Sequence, residues 1–315
     1  MMSSVSVVIP VFRSEKSIAL VVRQLAEALP QMTNCYEVIL VEDNGDDGSW
    51  LVIESLAAEF EWVRGFRLMR NYGQHSALLC GIRAANYETI VTMDDDLQHP
   101  VDKVPSLVEL LNEGYDVAYG TPQRQRHSLL RNLASMLSKW VLQGAMGAET
   151  ARSISAFRAF RTSLRDSFAN YSGPLVNIDV LLTWGTTRFK AIPTPHAPRT
   201  LGKSNYSFGK LITHTFNLLT GFSTLPLRLA SVIGLLLTLF GLIILIYILL
   251  SQVLAFGFEV PGFTFIASLI SIFAGAQMFT LGIIGEYLAR MHLRIMDKPA
   301  YIVRQSTEEE EPVQQ

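Results

Sequence analysis

Two long stretches of this chain carry no charged side chain: Leu229 to Leu250 and Phe263 to Gly285. Each exceeds the ~20 residues an α-helix needs to cross a hydrocarbon core of ~30 Å. A segment in lipid must satisfy its backbone hydrogen bonds internally, so such stretches are confined to helices. A buried helical hairpin in a soluble protein is the alternative, and the lengths argue against it. The link from Ser251 to Gly262 holds one charge, Glu259, and no Lys or Arg. Arg228 precedes the first stretch, and Arg290, Arg294, Lys298 and Arg304 follow the second. This asymmetry predicts a two-span hairpin with both chain termini in the cytoplasm and the link outside. Glu286, at the inner end of the second span, is expected to be paired or interfacial.

The residues before the hairpin read as a soluble α/β domain. Val5–Pro10 is a short β-branched run suited to a strand buried on both faces. Helical spacing follows from Ser17 to Leu29, then a strand at Tyr36–Val41 and a turn-rich loop, Glu42–Gly48. Trp50–Phe60 is predicted helical, Val63–Leu68 a strand, Gln74–Ala85 a helix, Glu88–Met93 a strand, Val101–Asn112 a helix and Asp116–Gly120 a strand. This alternation implies a parallel sheet with helices on both faces. Ser128–Gly147 and Phe208–Phe222 are amphipathic, and each reads either as an ordinary domain helix or as a helix lying at a bilayer surface. Ser306–Gln315, with four consecutive glutamates, reads as a disordered tail.

The chemistry concentrates after the strand that ends near Met93, where Asp94-Asp95-Asp96-Leu97-Gln98 follows. Ligands of open α/β folds bind beyond the carboxyl ends of the strands. Asp94 and Asp96 alternate along an extended backbone and can point the same way. Two hard oxygen ligands on one side suit Mg²⁺ or Mn²⁺ that also holds substrate phosphates; a solvated acidic turn is the bland alternative. Asp43 closes the second strand on the same edge, where a carboxylate can accept from a nucleobase or ribose, or serve turn chemistry alone. Asn71 and Gln74, in the Arg70–His75 segment, open onto that edge too.

Several classes drop out. The net charge of −2 gives no basic field for nucleic acid. Gly202-Lys203-Ser204 resembles the end of a phosphate-binding loop, but Ala197 stands where its first glycine belongs. No GxGxxG follows the first strand. The six histidines show no metal-ligand spacing and read as structural. Cys35 and Cys80 lie far apart, which fits a reducing compartment. The N-terminal residues lack the features of a signal peptide.

The order of Val7–Phe12, Glu42-Asp43, Arg70–Ala77, Asp94–Gln98 and Gly285–Arg290, together with the hairpin, resembles family 2 glycosyltransferases. The polyprenyl-phosphate group is the nearest, dolichyl-phosphate mannose synthase-like and bactoprenol glucosyltransferase proteins among it. Asn71-Tyr72-Gly73-Gln74-His75-Ser76-Ala77 is similar to the undecaprenyl-phosphate aminoarabinose transferases. The resemblance implies a GT-A fold and an inverting transfer from a nucleotide-sugar, UDP-linked, to a polyprenyl phosphate such as undecaprenyl phosphate. It places Asp94 and Asp96 on the Asp-X-Asp motif, with Gln98 as a further metal ligand. Pro10, Phe12 and Asp43 would line base and ribose, with Asn71, Gln74, Asp95, Gly202, Ser204 and Tyr206 completing the donor site. Arg199, on the family's Arg-X-X-Gly segment, would contact the diphosphate. It also implies a homo-oligomer, with a tetramer among the forms, in the cytoplasmic (inner) membrane.

Three departures stand out. Phe12-Arg13-Ser14 replaces the family's Tyr-Asn-Glu, leaving Glu15 displaced by one. Asn205 holds the family's lysine position, with Lys203 nearby. The Asp expected between Gly147 and Phe157 is absent, and Arg152 falls about there. A phosphate acceptor with a second pKa of about 6 needs no side chain to deprotonate it. Arg124, Arg126, Arg131, Arg152 and Lys203 are the candidates to hold that acceptor phosphate. The expected organisation is a GT-A domain over 1–197, an active-site loop and interfacial helix over 198–227, a hairpin over 228–288 and a cytoplasmic tail over 289–315. A processive polysaccharide synthase is the rival enzyme, although this chain lacks Gln-X-X-Arg-Trp and further spans. A membrane-tethered nucleotide-sugar-binding protein without turnover is the rival outside catalysis.

Overall fold

The computed structural model describes residues 4–122, 154–173, 175–195, 225–253 and 262–308. β1 (Val5–Val11), β2 (Tyr36–Glu42), β3 (Val63–Leu68) and β4 (Thr89–Thr92) are the first strands, β5 (Val117–Pro122), β6 (Arg158–Arg161), β7 (Phe189–Thr194) and β8 (Val303–Ser306) the later ones. They form one sheet in the order β7-β5-β6-β4-β1-β2-β3-β8. β1 is buried throughout, as its nearly all-apolar run requires of a strand covered on both faces, and its one polar side chain, Ser6, donates to Glu37 Oε1 at 2.6 Å.

Helices α1 (Ile18–Met32), α2 (Ser49–Glu59), α3 (Gln74–Ala84) and α4 (Val104–Asn112) link the early strands, and the short α5 (Ile178–Leu182) lies between β6 and β7. The buried face of α1, Ile18, Val21, Val22, Leu25 and Leu29, is the apolar stripe read from the sequence. A Cβ at Gly81 would overlap Val8 Cγ1, so α3 packs on β1 only because that position is bare.

The expected parallel sheet is mixed. β3-β2-β1-β4 are parallel, as are β5 and β7, but β6 runs antiparallel to both β4 and β5. β8 adds an antiparallel edge beyond β3. The last strand comes from a stretch expected to lie in a tail. Arg64 explains part of this, ion-pairing with Glu37 at 2.6 Å and with Glu308. Gly65 adds two bonds to Thr307, donating from its N–H at 2.8 Å and accepting at 2.9 Å.

The chain divides into two units, Met1–Ile212 with Asp297–Gln315, and Thr213–Met296. The second contains α6 (Leu225–Val253) and α7 (Gly262–Ile295). Within α7 the stretch Ile272–Leu293, of mean hydropathy 1.3, is long and apolar enough to cross a membrane. In α6 the apolar stretch Pro226–Gly241 falls short of that length among the described residues, so the two-span expectation rests on the structure for α7 alone. Glu286 pairs with Arg290 one turn on, at 2.5 Å.

Candidate active site

β4 stays paired with β1 only as far as Val8↔Thr92, whereas β2 follows β1 to Val11↔Glu42. Met93 N–H still donates to Val8 O at 3.3 Å, and then the chain turns away. The end of β1 is thus open on one side, at the switch point where ligands of such sheets bind. A cavity of about 340 Å³ occupies the gap. Pro10 and Val11 line it from β1 and Phe12 from just beyond, Asp43 from just beyond β2, Asn71 and Gly73 from the β3–α3 loop, Gln74 from the start of α3, and Asp94, Asp95 and Asp96 from the turn after β4.

Asp94 and Asp96 reach the same cavity, but not by extended alternation, since the strand ends at Thr92. The backbone bends, with Leu97 at φ 63°, in the left-handed region. Asp94 Oδ1 accepts from Gln74 Nε2 at 2.6 Å, and its N–H donates to His99 Nδ1 at 3.0 Å. His99 is buried and stacks on Phe157, with ring centroids 5.3 Å apart. Asp96 Oδ1 accepts from Gln98 N–H at 3.2 Å, so Gln98 meets the acidic turn through its backbone.

Asp95 accepts from Phe12 N–H at 3.1 Å and from Ser14 Oγ. It stitches the turn after β1 to the turn after β4, and burial pushes its pKa up. The turn after β1 is also tied to the β2–α2 loop. Arg13, at φ 56°, reaches both carboxylate oxygens of Asp46, at 2.6 and 3.0 Å. The displaced Glu15 accepts from Gly48 N–H at 3.2 Å, and Ser14 N–H donates to Ser49 Oγ at 2.9 Å.

Asp43 is 3% exposed. Its oxygens accept from Tyr72 N–H at 2.7 Å and Gly73 N–H at 2.8 Å. The carboxylate thus fixes the loop that carries Asn71 and Gln74, where Gly73 supplies a φ of 93°. Each oxygen keeps a second lone pair for a ligand. Burial, the largest influence, pushes its pKa up to about 6 against the lowering effect of the two N–H bonds.

Behind the acidic turn lies a polar cluster without local sequence signal. Arg158 on β6, 1% exposed, donates from Nε to Thr92 Oγ1 at 3.1 Å and ion-pairs with Asp179. Tyr119 Oη donates to Asp179 Oδ1 at 3.0 Å, and Thr92 Oγ1 donates to Ala156 O at 2.7 Å. The α5 backbone meets α3 where Ile178 N–H donates to His75 Nδ1 at 3.3 Å. Arg124, Arg126, Arg131, Arg152, Arg199, Gly202, Lys203, Ser204 and Tyr206 lie outside the described residues.

No three His, Cys, Asp or Glu side chains gather as a metal cage among the described residues. Asp94 and Asp96 nevertheless fit a divalent cation of the Mg²⁺ type, which keeps several waters and takes one or two carboxylates plus phosphate oxygens. Both carboxylates line an open cavity with room for such a ligand.

Residues 6–165 match the sequence model of the glycosyl transferase family 2. The undecaprenyl-phosphate 4-deoxy-4-formamido-L-arabinose transferase of Klebsiella pneumoniae (strain 342) is 33% identical over 303 residues, 95% of this chain and 92% of the relative. The protein of that name from Photorhabdus laumondii is 33% identical over 303 residues, covering 95% and 93%. Among solved structures, glucosyl-3-phosphoglycerate synthase of Mycobacterium tuberculosis, crystallised with Mn²⁺, UDP and glucosyl-3-phosphoglycerate, superposes with a TM-score of 0.52 at 18% identity. That match covers 69% of this chain and 78% of the other, and it shows the GT-A fold.

Proposed function

The chain belongs to glycosyl transferase family 2, and from that premise we propose that it moves a sugar from a nucleotide-sugar to a polyprenyl phosphate at a membrane. The observation that carries this reading is the acidic turn: Asp94 and Asp96 face a cavity whose other walls are Pro10, Phe12, Asp43, Asn71 and Gln74. The lipid acceptor is argued from near full-length likeness to transferases named for undecaprenyl phosphate.

Base and ribose sit against Pro10, Phe12 and Asp43, with the diphosphate toward Asp94 and Asp96. A divalent cation on those two carboxylates would neutralise the charge that gathers on the departing diphosphate. Gln74 holds Asp94 in place, and Arg199 forks onto diphosphate oxygens. An acceptor phosphate oxygen attacks the anomeric carbon from the far side as the bond to the nucleoside diphosphate breaks. The diphosphate leaves with the bonding electrons, and the anomeric centre inverts. The nucleophile is already an anion near neutral pH, so the fold supplies position and charge rather than a base. Lys203 and the arginines at 124, 126, 131 and 152 are assigned to the acceptor phosphate.

Topology follows from parity. The unit containing α6 and α7 is entered from the catalytic domain and returns to it, because β8 pairs with β3 of the same sheet. A domain on one face of a bilayer requires an even number of crossings between its parts. If α7 spans, α6 spans as well, with the sheet and both termini on the side of the nucleotide pool.

The test is transfer of labelled sugar into a lipid fraction from a panel of nucleotide-sugars, with undecaprenyl phosphate and Mg²⁺ or Mn²⁺. UDP-sugars and Mn²⁺ come first because the fold neighbour was crystallised with Mn²⁺ and UDP. Chelation abolishes transfer and added cation restores it. Asp94→Asn and Asp96→Asn each lower the rate at least about a hundredfold while the thermal midpoint stays within a few degrees. Donor binding without turnover across the panel would instead favour a tethered binding protein.

A further inference from the structure

We propose that Arg158 is a positioning residue whose guanidinium fork sets the acidic turn for cation and diphosphate binding; this rests on the functional reading above. Thr92 is the last residue of β4, two before Asp94. Its hydroxyl is held on both sides, donating to Ala156 O and accepting from Arg158 Nε. The other arm of the fork is anchored by Asp179, itself fixed by Tyr119 Oη and placed at the start of α5. The strand end is thus pinned to β5, β6 and α5 at once.

A second path reaches the same turn. Phe157, the neighbour of Arg158, stacks on His99, whose Nδ1 holds the Asp94 N–H. A buried ion pair is a costly way to add stability, since well-packed apolar groups often do as well. What the fork adds is direction: one planar group with donors at fixed angles serves a hydroxyl and a carboxylate together, which a lysine ammonium does not reproduce. Groups behind metal ligands that orient them typically alter metal affinity by about 10–100-fold when lost.

The test uses the full-length chain in detergent or nanodiscs, with Arg158→Lys and Thr92→Val. The lysine variant keeps a cation for Asp179 and loses the fork; the valine variant keeps the Arg158–Asp179 pair and loses both bonds of the Thr92 hydroxyl, to Arg158 Nε and to Ala156 O. The first readout needs no ligand: amide hydrogen exchange of the peptide spanning Thr92 to His99. Exchange there quickens in both variants while peptides from α1 and β2 keep their protection. The second is calorimetric binding of Mn²⁺ with UDP, which weakens about tenfold in Arg158→Lys and less in Thr92→Val. Unchanged exchange at Thr92–His99 in a folded variant overturns the proposal, as does quickened exchange with unaltered Mn²⁺·UDP affinity. If the parent chain itself does not bind Mn²⁺ with UDP, the functional reading fails separately, and the exchange data alone decide whether Arg158 positions the turn. Should Arg158→Lys not fold, Thr92→Val carries both readouts.

Discussion

Asp43 is a carboxylate in a place that disfavours its charge. Its pKa of about 6 in the fold, against 3.8 for the free group, means the native chain holds a proton there that the unfolded chain releases between those values. The stability it contributes is therefore full below pH 4 and lost as pH rises through about 6, an effect of about 3 kcal/mol. Asp43→Asn removes this slope. Unfolding free energies of parent and variant from pH 4 to 7 are expected to shift by that amount in the variant's favour, and a pH-independent difference would refute the assignment. Part of the cavity lining was legible because Asp43, Asn71, Gln74, Asp94 and Asp96 follow strands that could be read from the sequence, whereas Pro10, which lies within β1, and Phe12 and Asp95 came from the family resemblance. Arg158, Asp179 and Tyr119 were not legible. Arg158 and Thr92 are 66 residues apart in sequence, and no periodicity connects them.

At the scale of elements, β1, β2 and β4 could be read because each is short and largely apolar, and β3, Val-Arg-Gly-Phe-Arg-Leu, from its place between two helical patterns. β6, Arg-Ala-Phe-Arg, and β8, Val-Arg-Gln-Ser, carry too little apolar content to announce themselves. Their neighbours in the sheet make them strands. β8 is held by charge as well as by its ladder, with Arg64 between a buried Glu37 and the exposed Glu308. The two partners are not equivalent. Removing the cation leaves the buried Glu37 charge with only the neutral donors of Ser6 and Asn86, so Arg64→Met is expected to cost about 3 kcal/mol. Glu308→Gln touches only a screened surface pair and costs less than about 1 kcal/mol. Chemical denaturation of the two variants checks that ordering; equal losses would contradict it.

For the molecule as a whole, the parity of crossings makes a labelling prediction. Cys35 is exposed on the α/β domain and Cys80 is buried, so the parent chain carries its own reporter. In intact cells an impermeant maleimide is expected to label Gly257→Cys, in the link between α6 and α7, and to leave Cys35 unmodified. Permeabilisation then exposes Cys35. Labelling of Cys35 from outside would place the cavity away from the nucleotide pool and remove the basis for transfer.

The sheet's outer edge is also the last part of it that a ribosome makes. Until Val303 to Ser306 emerge, β3 presents bare amides and carbonyls, and Arg64 lacks its second carboxylate. Those residues emerge only after α6 and α7 have been synthesised. Translation order thus makes closure of the sugar-handling sheet a late event, and a nascent chain arrested within its apolar helices bears an open strand edge that marks it as unfinished.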